Sequence, residues 1–128
     1  MAQSKQKGDC VLTKPRWLLH MEGASILGLT LYFYQAGHYH WWLFALLFLS
    51  PDLFMLGYLK DFRWGAAAYN LVHTLAGPIV LLAFALLLPA TACIPYALIW
   101  LAHIGFDRML GYGLKYPTYF KDTHLQHV

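Results

Sequence analysis

Four apolar runs, at 17–34, 41–58, 66–88 and 92–110, take up most of a 128-residue chain. Each approaches the ~20 residues that carry an α-helix across a bilayer. With 59% of its residues hydrophobic and only 12% charged, the sequence is too apolar for an ordinary soluble domain. The stretch before the first run is polar, and the run itself contains Glu22, so it lacks the pattern of a cleaved signal peptide. The first run is therefore expected to remain in the protein as a span.

Orientation follows from the basic residues. Lys5, Lys7, Lys14 and Arg16 precede the first run, Lys60 and Arg63 join the second to the third, and Arg108, Lys115 and Lys121 end the fourth or follow it. The opposite connections, 35–40 and 89–91, contain no Lys or Arg, so the positive-inside rule puts both termini in the cytoplasm. Connections this short make neighbouring spans antiparallel. The expected fold is all-α: an up-down-up-down, four-helix transmembrane bundle over 17–112, with a polar arm at 1–16 and a cytoplasmic tail at 113–128. The net charge of +3 is accounted for by topology and anionic lipid, and nucleic acid is not expected as a partner. Cys10 and Cys93 fall on opposite sides, which argues against a disulfide. The sequence is equally compatible with a monomer and a homo-oligomer.

Glu22, Asp52, Asn70, His73, His103 and Asp107 interrupt these runs. An ionisable group in hydrocarbon costs at least a few kcal/mol, so such residues are rarely kept without a partner or a function. Spans one and three run outward and spans two and four inward. At ~1.5 Å of rise per residue, all six fall within roughly 10 Å of depth in the cytoplasmic half. His103 and Asp107 are spaced i, i+4 and share a face with Trp100 and Tyr96; Asn70 and His73 are spaced i, i+3. Pro51 and Pro78 each remove a backbone donor beside this layer and predict kinks around a polar cavity.

Imidazole nitrogens together with carboxylate oxygens suit zinc, iron or manganese, and helical bundles build such sites from facing helices. The expected ligands are His73, His103 and Asp107, joined by Asp122 and His124 if the tail folds back past Gly111 and Gly113. Glu22 and Asp52 serve as further ligands or as the general base, and Glu22, Asp52 and Asp107 form the catalytic carboxylate set. Asn70, Arg108, Tyr112, Lys115 and Tyr116 stand where they could bind an anionic or amphiphilic small-molecule substrate, with Arg108 offering a bidentate fork.

The stretches LLHMEG, FLSPDLFMLGYL, AYNLVHTLAGP and ALIWLAHIGFDRMLGYGLKYPTYFKDTHL resemble a family of small bacterial membrane proteins catalogued as a domain of unknown function. The resemblance spans nearly all of the chain from Trp17 onward, and its PDL, YNLVH and HIGFDR...GYGLKYP...DTHL strings are specific. It implies a multi-pass protein of the bacterial cytoplasmic (inner) membrane and supplies no activity.

Function therefore rests on the residues. The leading expectation is a membrane-embedded metal-dependent enzyme open to the cytoplasm, with hydrolysis of a lipid-like substrate slightly preferred over oxygen activation by iron. The alternatives are a small proton-coupled transporter or channel using Glu22, haem held between His73 and His103, and a purely structural polar network.

Overall fold

A computed structural model of the chain describes residues 15–53 and 61–113. Among these residues the secondary structure is entirely helical: α1 (Pro15–Ala36), α2 (Trp41–Leu47), α3 (Phe62–His73), α4 (Ala76–Leu87) and α5 (Ile94–Leu110). The arm at 1–14, the connection at 54–60 and the tail at 114–128 lie outside the described residues.

Local chemistry sets the helix ends. α1 starts on Pro15, whose fixed φ and missing N–H are tolerated in a first turn. α3 starts behind Asp61, whose carboxylate accepts the backbone N–H of Trp64 at 2.8 Å. α5 follows a short 3-10 turn at Thr91–Cys93, carries Pro95 in its first turn, and stops at Gly111 in the left-handed region (φ 96°). The backbone N–H groups of Gly111 and Tyr112 then return to the carbonyls of Arg108 and Asp107.

Two of the expected spans differ from simple helices, and proline is the physical reason in both. The run at 41–58 is α-helical only to Leu47; a turn follows, then a 3-10 segment at 50–53. Pro51 has no N–H to continue the ladder, and its ring disfavours helical geometry at Ser50. The run at 66–88 begins earlier than expected, at Phe62, and is broken at Thr74, whose ψ of 145° is extended. Pro78 cannot donate to the Thr74 carbonyl, so the chain re-enters helix only at Ala76. Taken together as one stretch, Phe62–Leu87 has 26 residues and is long and apolar enough to cross a membrane; Trp41–Leu53, taken the same way, is a shorter apolar stretch.

α1 and α5 form the most extensive helix pair among the described elements. Their backbones approach through Gly23 and Gly105: a Cβ on Gly105 would stand 2.8 Å from the Leu27 nitrogen and 2.9 Å from the Gly23 oxygen. His20 locks the pair near the start of α1 and the end of α5, its Nδ1–H donating to the Met109 carbonyl at 2.8 Å. At the other end, Tyr34 is fully buried with Leu98 and Ile99, and its hydroxyl donates to the His40 carbonyl at 2.7 Å. Tyr39, Trp41 and Phe44 ring it at centroid distances of 5.1–5.3 Å. This aromatic knot fixes the α1–α2 turn and hence the direction in which α2 carries Asp52.

Candidate metal centre

Three chain segments meet beside α5. The 3-10 turn after α2 brings Asp52, the C-terminal end of α3 brings His73, and the C-terminal half of α5 brings His103 and Asp107. One ligand-type atom from each residue lies within 4.8 Å of all the others.

The separations are specific. His73 Nε2 is 3.0 Å from His103 Nε2. It lies 3.5 Å from Asp52 Oδ1 and 3.3 Å from Asp107 Oδ2. His103 Nε2 stands 3.3 Å from the same Asp52 oxygen and 3.4 Å from the same Asp107 oxygen. Ligand atoms held about 2.0–2.1 Å from one centre stand about 3.0 Å apart at right angles and about 3.4 Å apart at tetrahedral angles. The five separations lie close to those values and all four atoms lie within 4.8 Å of one another, so the group is compact enough to surround one cation.

Proton bookkeeping leads to the same place. His73 Nδ1 lies 2.9 Å from the Tyr69 carbonyl. A carbonyl can only accept, so this nitrogen donates, and in a neutral ring Nε2 then carries the lone pair. That lone pair faces two carboxylate oxygens, which also only accept, and a second imidazole. A neutral His103 with its proton on Nε2 could satisfy just one of these acceptors, so the group gains most from positive charge among these atoms, either as further protons on the imidazoles or as a bound cation. Burial sharpens the requirement: side-chain exposure is 3% at His73, 1% at His103 and 15% at Asp107, against 35% at Asp52. Asp52 is therefore the open side of the site.

The supporting contacts include one residue that the sequence reading missed. Tyr69 stacks flat on the His73 ring, with centroids 3.6 Å apart and planes 9° apart, and its hydroxyl donates to Asp107 Oδ2 at 3.3 Å. A single buried side chain thus holds two members of the group. The signal was present in YNLVH, where Tyr69 and His73 are spaced i, i+4 on one helix face. Trp100 fixes the α3 end from α5, its indole N–H donating to the Val72 carbonyl at 2.6 Å. Phe48 packs edge-on against the His103 ring at 5.5 Å. The Nδ1 of His103 is buried without a hydrogen-bond partner among the described residues.

Not every expected site residue joins this group. Glu22 is exposed and lines a separate depression with Leu18, Met21, Ser25 and Ile26, so it is not brought to the histidines. The reason is rotation: Gly23 faces α5, which turns the adjacent Glu22 away. Asn70 lies on α3 one turn before Thr74, whose N–H its carbonyl accepts at 3.1 Å. Arg108 and Tyr112 line a small cleft with Tyr69, His73 and Asp107, next to the group rather than in it. The Arg108 Nε has no hydrogen-bond partner among the described residues. Lys115, Tyr116, Asp122 and His124 lie outside the described residues.

Haem does not fit. Axial nitrogens on opposite sides of an iron stand about 4 Å apart at ~2.0 Å per bond, whereas the two Nε2 atoms are 3.0 Å apart.

Comparison with known proteins agrees with the resemblance in the sequence. A family model described as a domain of unknown function, DUF4260, matches residues 16–128. The chain belongs to this family. The matched region contains all four residues of the candidate centre. No curated protein and no solved structure matches the chain.

Proposed function

We propose that the chain is a multi-pass protein of the cytoplasmic membrane that binds one divalent transition-metal ion through His73, His103, Asp107 and Asp52, and that this centre serves a membrane enzyme. The observation that carries the reading is the set of five ligand-atom separations of 3.0–3.5 Å. Two imidazoles and two carboxylates are donors suited to zinc, iron or manganese. The membrane setting is supported by the apolar stretch Phe62–Leu87 and by large apolar side chains standing exposed on several helices, among them Leu29, Leu46, Leu71, Val80 and Leu87. The one-sided basic residues set the termini in the cytoplasm.

A bound ion would supply Lewis acidity toward a carbonyl or phosphoryl oxygen and would acidify a water molecule. The protein groups supply the rest. His73 is oriented by the Tyr69 carbonyl and ring, Asp107 by the Tyr69 hydroxyl. Asp52, with the most exposed side chain of the four, is positioned to take or return a proton on the open side. Arg108, beside the centre in the cleft with Tyr112, supplies positive charge for an anionic head group. Hydrolysis is preferred over oxygen activation because that cation stands next to the centre. A transporter built on Glu22 gains no support, since Glu22 lies apart from the cluster.

The direct test is metal content. Protein purified without chelator, or reconstituted with Zn2+, Mn2+ or Fe2+, is expected to hold close to one ion per chain by elemental analysis. Protons compete for both Nε2 atoms, so occupancy is expected to fall as the pH is lowered and to return on raising it. Absence of any ion under every reconstitution condition, with thermal stability indifferent to chelator, would defeat the proposal. Tyr69→Phe keeps the ring but removes the hydroxyl from Asp107; it is expected to weaken metal affinity about tenfold, as loss of an outer hydrogen bond to a ligand does. Competition against a chromophoric chelator measures that change, and unaltered affinity would remove Tyr69 from the site.

A further inference from the structure

A second hollow is walled in part by sequence neighbours of the ligands and is not used by the chemistry above. Pro51, Leu53, Val72, Leu81, Ile99 and Trp100 form most of the wall of a cavity of about 470 Å³. That volume is within the ~300–1,000 Å³ range of small-molecule sites. The polar character of the wall is slight. Ser50 and Tyr96 contribute hydroxyls, while the indole N–H of Trp100 is already given to the Val72 carbonyl.

The cavity and the metal ligands share their chain segments. Pro51 and Leu53 flank Asp52, Val72 precedes His73, and Ile99 lies one turn before His103 on α5. The Asp52 segment is also the open side of the centre. An occupant of the cavity would thus have an apolar end among the side chains of α2, α4 and α5, and at the Asp52 segment it would come near the ligand cluster. A polar metabolite would leave its hydrogen-bonding groups unmatched along most of that wall, which is costly. A hydrocarbon chain brings no such groups.

We propose that this cavity holds the tail of a single-chain amphiphile whose oxygen-bearing head reaches the metal centre; the inference rests on the metal reading above and adds the substrate class. The site selects for a chain, and the centre selects for the head.

Alkyl hydroxamates test it, because their head is a metal ligand and their tail length can be varied. Cobalt-loaded protein in phosphatidylcholine nanodiscs would be titrated with acetohydroxamate and with straight-chain hydroxamates up to sixteen carbons, binding being read from the visible cobalt spectrum. Affinity is expected to rise about fourfold per methylene and to level off once the cavity is full, whereas simple partition into lipid keeps rising with length. Leu81→Trp and, from a different chain segment, Leu53→Trp are expected to cancel at least tenfold of the long-chain gain while leaving cobalt content and acetohydroxamate affinity unchanged. An uninterrupted rise with length in the wild type, or an identical slope in wild type and both plugged variants, would overturn the proposal in favour of lipid partition. No dependence on length, because a bilayer lipid or a segment of protein fills the space, would overturn it too.

A metal-independent readout separates the failures. cis-Parinaric acid, followed by its own polyene absorbance, should bind the metal-free wild type and be displaced by palmitate, with at least fivefold weaker binding to Leu81→Trp. Chain binding without cobalt binding would sink the metal reading and the head-group half of this proposal. Cobalt binding without chain binding would sink the cavity alone.

Discussion

Alanine at His103 is expected to abolish metal binding and, with it, whatever catalysis the protein performs. The imidazole is 1% exposed, and its Nε2 lies 3.0–3.4 Å from the ligand atoms of the other three residues. Removing it takes away one of four donors and leaves two carboxylates facing a cavity. Loss of an outer hydrogen bond to a ligand already costs 10–100-fold in affinity, so loss of the ligand itself should exceed about 100-fold. His73→Ala is expected to match it. Asp52→Asn should be milder, because Asp52 is the most exposed member and an amide oxygen remains a weak ligand. Isothermal titration with Zn2+ orders the three. Equal affinities across the series would mean that the cluster is a proton-bridged structural network and that no ion belongs there.

The second large effect is expected at Gly105. An added Cβ meets the Leu27 nitrogen at 2.8 Å and the Gly23 oxygen at 2.9 Å, both backbone atoms that cannot swing aside. Gly105→Ala must push α1 away from α5, and overpacking of this kind costs about 1–3 kcal/mol. Because His103 and Asp107 sit on α5 within one turn of Gly105, metal affinity should fall with stability. Gly28→Ala is the matched control. A Cβ there meets nothing within 4 Å, and alanine is favoured over glycine in a helix by up to about 1 kcal/mol. Thermal unfolding in detergent should therefore move in opposite directions for the two variants. A neutral Gly105→Ala would show that the α1–α5 pair is looser than its close backbone approach implies.

Height along the helices is legible in the sequence, and rotation about each helix is much less so. Counting residues from the span ends puts Asp52, His73, His103 and Asp107 at one height, and the structure brings them together. The same count puts Glu22 at that height as well, yet Glu22 lines a different depression. Spacing on a single helix, as for His103 and Asp107, fixes a shared face. Relating that face to another helix needs the packing contacts, and for α1 these run through Gly23 and Gly105. Tyr69 was hidden for a related reason. In an apolar stretch an aromatic residue reads as hydrocarbon, and only its stacking on His73 and its reach to Asp107 reveal the polar use of its hydroxyl. The prolines were informative in kind, since both mark interruptions. How far each helix would yield depends on tertiary alternatives such as the Val72 carbonyl bonded to Trp100.

The break at Thr74 places His73 at the very end of α3, and His103, its partner in the centre, is 30 residues further along the chain. An ion bound to both would fasten the two ends of that segment as a disulfide fastens a loop. Closing a loop of that length withdraws about 3–4 kcal/mol of conformational freedom from the unfolded chain. α4 and the turn that leads into α5 would lie inside the closed loop, so their order would be tied to occupancy of a site whose donors lie on neither of them.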